Sequence, residues 1–194
     1  MFPIVDVSKF YYKRNGGFWL SVNRLFWPKR VEIQMKAFSK MPNEKLIIVG
    51  SYEHAEGFKR YLNYLMKIKP KNVELVSWIS EKEVIDLYAN CRGFITTAKS
   101  EDFGYTAVEA IASGKPVIAP NEGGYKENVI NGVTGRLITD INEEKLIKAV
   151  TEIGPNAKKF KQACLLQSRK FSKETFICEI NIIMEDIVNG KNKT

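Results

Sequence analysis

The stretch SEDFGYTAVEAIASGKPVIA, residues 100–119, decides how this chain folds. It follows an apolar run, residues 93–98, that is typical of a buried strand. Within the stretch, Val108, Ile111 and Ala112 recur at helical spacing, Gly114 ends the predicted helix, and residues 117–119 begin another apolar run. We therefore expect residues 100–104 to form a turn at the carboxyl edge of a parallel sheet, where open α/β folds bind their ligands.

The rest of the chain repeats this alternation of strand and helix. Apolar runs of strand length occur at residues 18–22, 45–50, 72–79, 93–97 and 117–119, and a short sixth strand is expected within residues 131–138. The pattern predicts an α/β fold, namely a Rossmann-like three-layer α/β/α domain with a six-stranded parallel sheet. Residues 18–170 should form this domain, residues 1–17 should lead into it, and residues 171–194 should supply a last helix and a polar tail.

Two carboxylates flank the predicted turn and helix. Glu101 lies in the turn, and Glu109 lies about 7–12 Å further along, because a helix rises about 1.5 Å per residue. Carboxylates that act together on one bond in retaining glycosidases lie about 5–5.5 Å apart, so this spacing better suits two hydrogen-bonding contacts with an extended ligand. Gly104 permits close backbone approach, and the N–H groups of the next turn favour an anion. The alternative is an ordinary loop and helix with solvated carboxylates.

The composition fits one globular domain, with 194 residues, 44% of them hydrophobic and 27% charged. A net charge of +8 raises the question of anionic partners. The lysines are spread along the chain, so we expect a solvated basic surface and no nucleic-acid partner; part of the excess could serve an anionic ligand or a membrane surface near the C-terminal end. No secretory signal or run of about 20 apolar residues is present. Three cysteines without metal-ligand spacing, Cys91, Cys164 and Cys178, predict buried free thiols and a cytoplasmic location.

The string S-E-x-F-G-x-x-x-x-E-A-x-A-S-G-x-P-V-I-A resembles the signature of the retaining glycosyltransferases of the GT-B fold, especially family 4. The resemblance implies that this chain is the C-terminal half of a GT-B fold, the half that binds the donor. It implies that Glu101 holds the donor sugar and Glu109 the ribose of the nucleotide. It also implies donor contacts from the residues at the start of the helix, Phe103, Gly104, Tyr105 and Thr106.

A second part of the resemblance lies in L-S-V-N-R-L-x-x-x-K-R, residues 20–30, which is similar to the family's first phosphate-binding loop. It implies that Arg24 and Lys29 contact the donor diphosphate. These cations would assist catalysis, because negative charge grows on the leaving diphosphate as the glycosidic bond breaks. Asn23 stands where the family usually has glycine, and Arg30 is expected to point outward.

Three further segments resemble the family. Residues 77–79, which are Ser77, Trp78 and Ile79, are similar to the segment that borders the nucleotide base, although Trp78 could equally pack the sheet edge. Gly123 and Gly124 match a loop whose backbone approaches sugar or phosphate oxygens. Residues 1–17 resemble the linker between the two domains of the family. The last helix would pack on a missing N-terminal acceptor domain, which leaves an apolar surface exposed or available for self-association.

The resemblance thus implies transfer of a sugar from a nucleotide donor to an acceptor hydroxyl with retention. No cofactor or metal is implied, because Arg24, Lys29 and a helix N-terminus would take a cation's place at the diphosphate. GDP-mannose is the first candidate for the donor. The full enzyme could also contact a membrane face. Two alternatives stay open, namely a non-catalytic nucleotide-binding or assembly module and one half of a nucleotide-sugar epimerase.

Overall fold

A computed structural model of the chain describes residues 2–51, 56–77 and 79–189. Within these residues the strands form one parallel sheet of six, in the order β3-β2-β1-β4-β5-β6. The strands are β1 (Phe18–Arg24), β2 (Lys45–Ser51), β3 (Val73–Val76), β4 (Gly93–Ile95), β5 (Val117–Pro120) and β6 (Gly135–Ile138). The predicted Rossmann-like α/β fold with a six-stranded parallel sheet is confirmed.

Helices connect the strands in the described residues. They are α1 (Val31–Ser39), α2 (Glu56–Ile68), α3 (Glu81–Asn90), α4 (Tyr105–Ala112), α5 (Tyr125–Asn128), α6 (Glu143–Ile153), α7 (Lys161–Ser168) and α8 (Lys173–Val188). The start of α3 has reciprocal cap bonds, in which the Ser80 amide donates to Glu83 Oε2 (2.8 Å) and the Glu83 amide to Ser80 Oγ (3.3 Å). The third strand ends at Val76, just before the exit expected at residues 77–79.

The strand order places a crevice between β1 and β4. From β1 the chain moves outward through β2 to β3, and it then returns to the other side of β1 to enter β4. At such a switch point the loops that follow the two central strands diverge to opposite faces, and ligands bind between them. The segments after β1 and β4 are therefore the natural walls of a binding site.

Helices cover both faces of the sheet because neighbouring strand residues point to opposite sides. Trp19 and Leu46 belong to the apolar cluster that includes α1 and α6, whereas Leu20 and Ile47 belong to the cluster that includes α3 and α4. Burying one such large apolar side chain stabilises the fold by about 1.5–3 kcal/mol. The two clusters make the predicted α/β/α layering.

The segment before β1 packs along the domain. The Val5 amide donates to the carbonyl of Phe171 (2.9 Å). Further along, the fully buried Lys115 donates from Nζ to the carbonyl of Arg14, and this Nζ lies 4.1 Å from the centre of the Tyr12 ring. Burial lowers the pKa of Lys115 to about 8. The boundary expected at residue 17 stays a prediction.

The cysteines differ in exposure. Cys91 and Cys164, the two buried cysteines, are free thiols, and burial raises the pKa of each to about 12. Cys178 is also free but exposed on α8, so the expectation of a third buried thiol is wrong. Like every other residue of α8, Cys178 is not buried.

Helix α8 presents apolar side chains to solvent, as the pattern of residues 171–188 led us to expect. The exposed ones are Ile177, Ile182, Ile183, Met184, Ile187 and Val188. Over the described parts of the chain, no helix has both the length and the apolar character that crossing a bilayer requires.

Candidate functional site

A cleft of about 390 Å³ opens at the carboxyl edge of the sheet, beside the start of α4. It is lined by Val22, Asn23, Arg24, Lys29, Val49, Gly50, Ile79, Glu101, Tyr105 and Thr106. Six residues assigned to the site from sequence thus line one cavity, although they come from three separate parts of the chain. The segments that build it are the β1 loop (residues 25–30), the β4 turn (residues 96–104) and, behind them, the glycine turn (residues 121–124).

The end of β1 and the β1 loop place two cations beside the cleft. Pro28 lies in a single turn of 3₁₀-helix, Trp27–Lys29, which reverses the chain between β1 and α1. The guanidinium carbon of Arg24 and the Nζ of Lys29 each lie 5.6 Å from the centre of the Phe26 ring. The π-electrons of the Phe26 ring attract both cations.

Asn23 fits where the family usually has glycine. It lies within β1, and its Nδ2 donates to Ser21 Oγ (2.6 Å). Its φ is not positive, so the backbone at this position does not require glycine. Asparagine at position 23 therefore does not disturb the strand backbone where it enters the β1 loop.

Lys29 and Glu101 form an ion pair between Nζ and Oε2. Their side chains are 17% and 25% exposed, so water partly screens the attraction. The resemblance gives Lys29 to the diphosphate and Glu101 to the sugar, and the structure brings these two groups into contact. A ligand that has an anionic diphosphate next to a sugar would meet both at once.

The first turn of α4 forms another wall of the cleft. Gly104 precedes the helix with φ 84°, in the left-handed region, and a Cβ there would lie 2.7 Å from a ring carbon of Tyr125. Both facts require glycine at this position. No side chain caps the start of α4, its first turn carries no acidic residue, and Tyr105 and Thr106 line the cleft. The first-turn amides therefore favour an anion at this end of the cleft.

The glycine turn supports Glu101 from behind. A Cβ on Gly123 would lie 2.3 Å from the carbonyl oxygen of Glu101, and one on Gly124 would lie 2.5 Å from that of Asp102. The Gly124 amide donates to the Glu101 carbonyl (2.8 Å). The Gly124 amide is therefore used inside the protein, and the expected approach of this loop to a ligand stays a prediction. The close packing of the two turns explains the glycines.

Glu109 lies beneath the cleft, one helical turn after Tyr105 and Thr106. Its Oε2 accepts a hydrogen bond from the hydroxyl of Tyr88 (2.9 Å), and that hydroxyl oxygen also lies 3.1 Å from the carbonyl oxygen of Thr106. Burial raises the pKa of Glu109, and the Tyr88 hydrogen bond opposes part of that rise. Tyr88 was not anticipated as part of the site, and its position on α3 gave no sign of this contact.

The remaining predicted residues differ in placement. The ring of Phe103 is 9% exposed and packs edge to face with Tyr105 and Phe171 (4.9 and 5.8 Å between ring centres), so its side chain belongs to the core. Ile79 lines the cleft, and Ser77 is exposed just beyond β3. Trp78 lies outside the described residues.

Arg30 does not point outward as expected. Its side chain is 22% exposed, donates from Nε to the carbonyl of Thr97 (2.6 Å), and pairs with Glu122. The sequence offers no local signal for this arrangement, because the paired residues are 92 positions apart. Across residues 2–51, 56–77 and 79–189, no three His, Cys, Asp or Glu side chains group as metal ligands.

Comparison with known proteins places the chain among glycosyltransferases. The family described as "Glycosyl transferases group 1" matches residues 10–164. An uncharacterized glycosyltransferase of Methanocaldococcus jannaschii is 30% identical, over 94% of this chain and 52% of its own length. The alpha-1,3/1,6-mannosyltransferase ALG2 of Dictyostelium discoideum is 32% identical, over 62% of this chain and 33% of its own. The chain spans about half or less of the length of these curated relatives.

Solved structures share the fold. Anabaena Alr3699/HepE in complex with UDP and glucose superposes with a TM-score of 0.80 at 21% identity, over 94% of this chain and 55% of that one. The C-terminal domain of a glycosyl transferase group 1 family protein (LpcC) from Francisella tularensis has a TM-score of 0.73 at 18% identity, over 87% of this chain and 99% of that domain. At these identities the likeness establishes the fold alone.

Proposed function

Because this chain belongs to the glycosyl transferases group 1 family, we propose that it binds the nucleotide-sugar donor of a retaining GT-B glycosyltransferase of family 4. The observation that carries the proposal is the convergence of Lys29, Glu101 and the uncapped first turn of α4 on one cleft. The cation and the helix amides suit an anionic diphosphate, and the carboxylate suits the hydroxyl groups of a sugar joined to it.

In the proposed complex the diphosphate lies between Lys29 and the first turn of α4, with Arg24 close by. These groups stabilise the negative charge that develops on the leaving diphosphate, so the positive charge comes from the protein and no metal ion is needed. In this complex Lys29 contacts the phosphate as well as the Glu101 carboxylate. The Glu101 carboxylate then accepts hydrogen bonds from the sugar hydroxyls.

Glu109 is proposed to accept hydrogen bonds from the ribose hydroxyls. The Tyr88 hydroxyl keeps its carboxylate turned toward the start of α4, at 2.9 Å. The base would lie along the apolar side of the cleft, against Val49 and Ile79. This order puts base, ribose, diphosphate and sugar along one path from β2 to the β4 turn.

We propose mannosyl transfer from GDP-mannose as the first candidate reaction, and the relative named as a mannosyltransferase supports it. The acceptor molecule would be bound by a further domain facing the cleft, since the curated relative is about twice as long. The exposed apolar side of α8 would meet that domain or a second copy. The free buried thiols favour a reducing compartment such as the cytoplasm.

Calorimetric titration with GDP-mannose, UDP-glucose and ADP-glucose tests the function. Each nucleotide sugar is compared with its nucleoside and its nucleoside diphosphate. We expect one series to bind, with a large gain in affinity on adding the diphosphate and a smaller gain on adding the sugar. If no series binds, or if the diphosphate adds nothing, the proposed function is wrong.

A further inference from the structure

Arg30 occupies an unfavourable backbone conformation at the junction of the β1 loop and α1. Its φ of 49° and ψ of 37° lie in the left-handed region, which suits glycine and disfavours residues that carry a Cβ. The side chain makes no cap bond to α1. Glycine would relieve the strain, so the contacts of the arginine side chain must offset it.

Those contacts reach two other segments of the site. Arg30 Nε donates to the Thr97 carbonyl (2.6 Å), and Nη2 lies 3.3 Å from the Ala98 carbonyl and pairs with the Glu122 carboxylate. Thr97 and Ala98 belong to the β4 turn, and Glu122 belongs to the glycine turn. One planar guanidinium therefore joins all three segments, a geometry that arginine provides and lysine does not.

Further hydrogen bonds connect the β1 loop to the β4 turn at this junction. The Thr97 hydroxyl lies within hydrogen-bonding distance of the Lys29 and Arg30 carbonyls (2.8 and 3.0 Å). The Lys99 amide donates to the Pro28 carbonyl (2.8 Å). These bonds tie the β1 loop to the β4 turn next to Lys29.

The junction leads directly to the ligand-facing groups. Lys29 precedes Arg30, and Glu101 follows the segment whose carbonyls Arg30 binds. Glu122 precedes the glycine pair that packs against the backbone of Glu101. A shift of the guanidinium would therefore move Lys29 and Glu101 relative to each other. Arg30 itself is not among the residues that line the cleft.

We propose that Arg30 is a positioning residue, and that its ion pair with Glu122 holds the β1 loop, the β4 turn and the glycine turn in the arrangement that binds the donor diphosphate. This role rests on the donor-binding function proposed above. It assigns Arg30 no contact with the ligand, which distinguishes it from Arg24 and Lys29.

Glu122→Gln separates positioning from direct phosphate binding. Removing a carboxylate raises the net positive charge at the site, so an arginine that bound phosphate directly would bind it more tightly in this variant. Positioning predicts the opposite, with nucleotide-sugar affinity falling by about five- to tenfold. Glu152→Gln is the matched control, because it breaks the Arg136–Glu152 pair on the surface and changes the charge equally. We expect wild-type affinity from the control.

Arg30→Lys and Arg30→Gly complete the test. Arg30→Lys keeps the charge but loses the forked contacts, so positioning predicts a loss of affinity similar to that of Glu122→Gln. Arg30→Gly relieves the backbone strain and should fold, yet it should bind the nucleotide sugar at least as weakly. The double variant Arg30→Gly/Glu122→Gln should bind no worse than Arg30→Gly, because the pair acts as one unit. Tighter binding by Glu122→Gln, or unchanged binding by Arg30→Lys, overturns the proposal.

Amide hydrogen exchange without ligand gives a readout independent of the proposed function. In Glu122→Gln, amides of residues 97–104 and 122–125 should exchange at least about fivefold faster, while those of β2 keep wild-type rates. Unchanged exchange in both segments overturns the positioning role. If wild-type protein binds no nucleotide sugar, the proposed function fails by itself, and the exchange rates alone decide whether the Arg30–Glu122 pair orders the β4 turn and the glycine turn.

Discussion

Replacing Glu101 by alanine separates the sugar end of the proposed ligand from its diphosphate end. The carboxylate pairs with Lys29 in the structure, and the proposal gives it the sugar hydroxyls. Glu101→Ala therefore removes a ligand contact and also frees a cation. These two consequences have opposite signs, and each affects a different part of the ligand.

The magnitudes follow from the exposure of the pair. Lys29 and Glu101 are 17% and 25% exposed, so the freed cation should improve binding of a plain nucleoside diphosphate by at most about 1 kcal/mol. Hydroxyl hydrogen bonds to a charged carboxylate contribute about 1.5–3 kcal/mol, and the nucleotide sugar loses them. For the nucleotide sugar the loss exceeds the gain. The preference for the nucleotide sugar over the diphosphate should fall by about 10- to 150-fold.

Calorimetry with the two ligands measures both effects, and Glu109→Ala is the comparison variant. Glu109 is assigned to the ribose, which both ligands contain, so its loss should weaken both by similar amounts. In Glu101→Ala, the diphosphate alone should bind as tightly as to wild type or slightly more tightly. If Glu101→Ala weakens the plain diphosphate as much as the nucleotide sugar, the placement of the sugar end is wrong.

Three other predictions concern single groups. Arg24→Ala and Lys29→Ala should each weaken diphosphate binding by about 1–3 kcal/mol in the same titration, whereas Lys126→Ala, a surface control, should not; equal losses from all three would indicate a diffuse charge effect. Nucleotide affinity should fall as pH drops through the raised pKa of Glu109, because only the carboxylate accepts both ribose hydroxyls, and a pH series should show no such fall in Glu109→Gln. A thiol reagent at pH 8 should label Cys178 rapidly and the two buried cysteines only on unfolding, since burial raises the pKa of both buried thiols; mass spectrometry of the labelled native protein detecting either buried cysteine would contradict this.

The fold could be predicted because its signals are local. Each strand is a short apolar run, helical periodicity follows it, and residues such as Ser80 and Gly114 mark where helices begin or end. These patterns need only a few neighbouring residues. The order of the strands along the sheet is not encoded in these local patterns, because doubly wound sheets occur in more than one order.

The contacts within the site could not be predicted in the same way. Lys29 and Glu101 are 72 residues apart, and Arg30 and Glu122 are 92 apart, so no spacing along the chain encodes either pair. The direction of the Arg30 side chain depends on its left-handed φ, and no local sequence pattern predicts that conformation for an arginine. Phe103 differs in the opposite way. Its place in the motif predicted a ligand contact, whereas its ring packs in the core.

The most direct test of the central claim is a crystal structure of the chain with the nucleotide sugar that binds it. We predict that the diphosphate lies between Lys29 Nζ and the amides of the first turn of α4, with a sugar hydroxyl in hydrogen-bonding distance of Glu101. A diphosphate bound at the opposite edge of the sheet, in the cavity lined by Lys45, Lys69 and Lys71, would contradict the account.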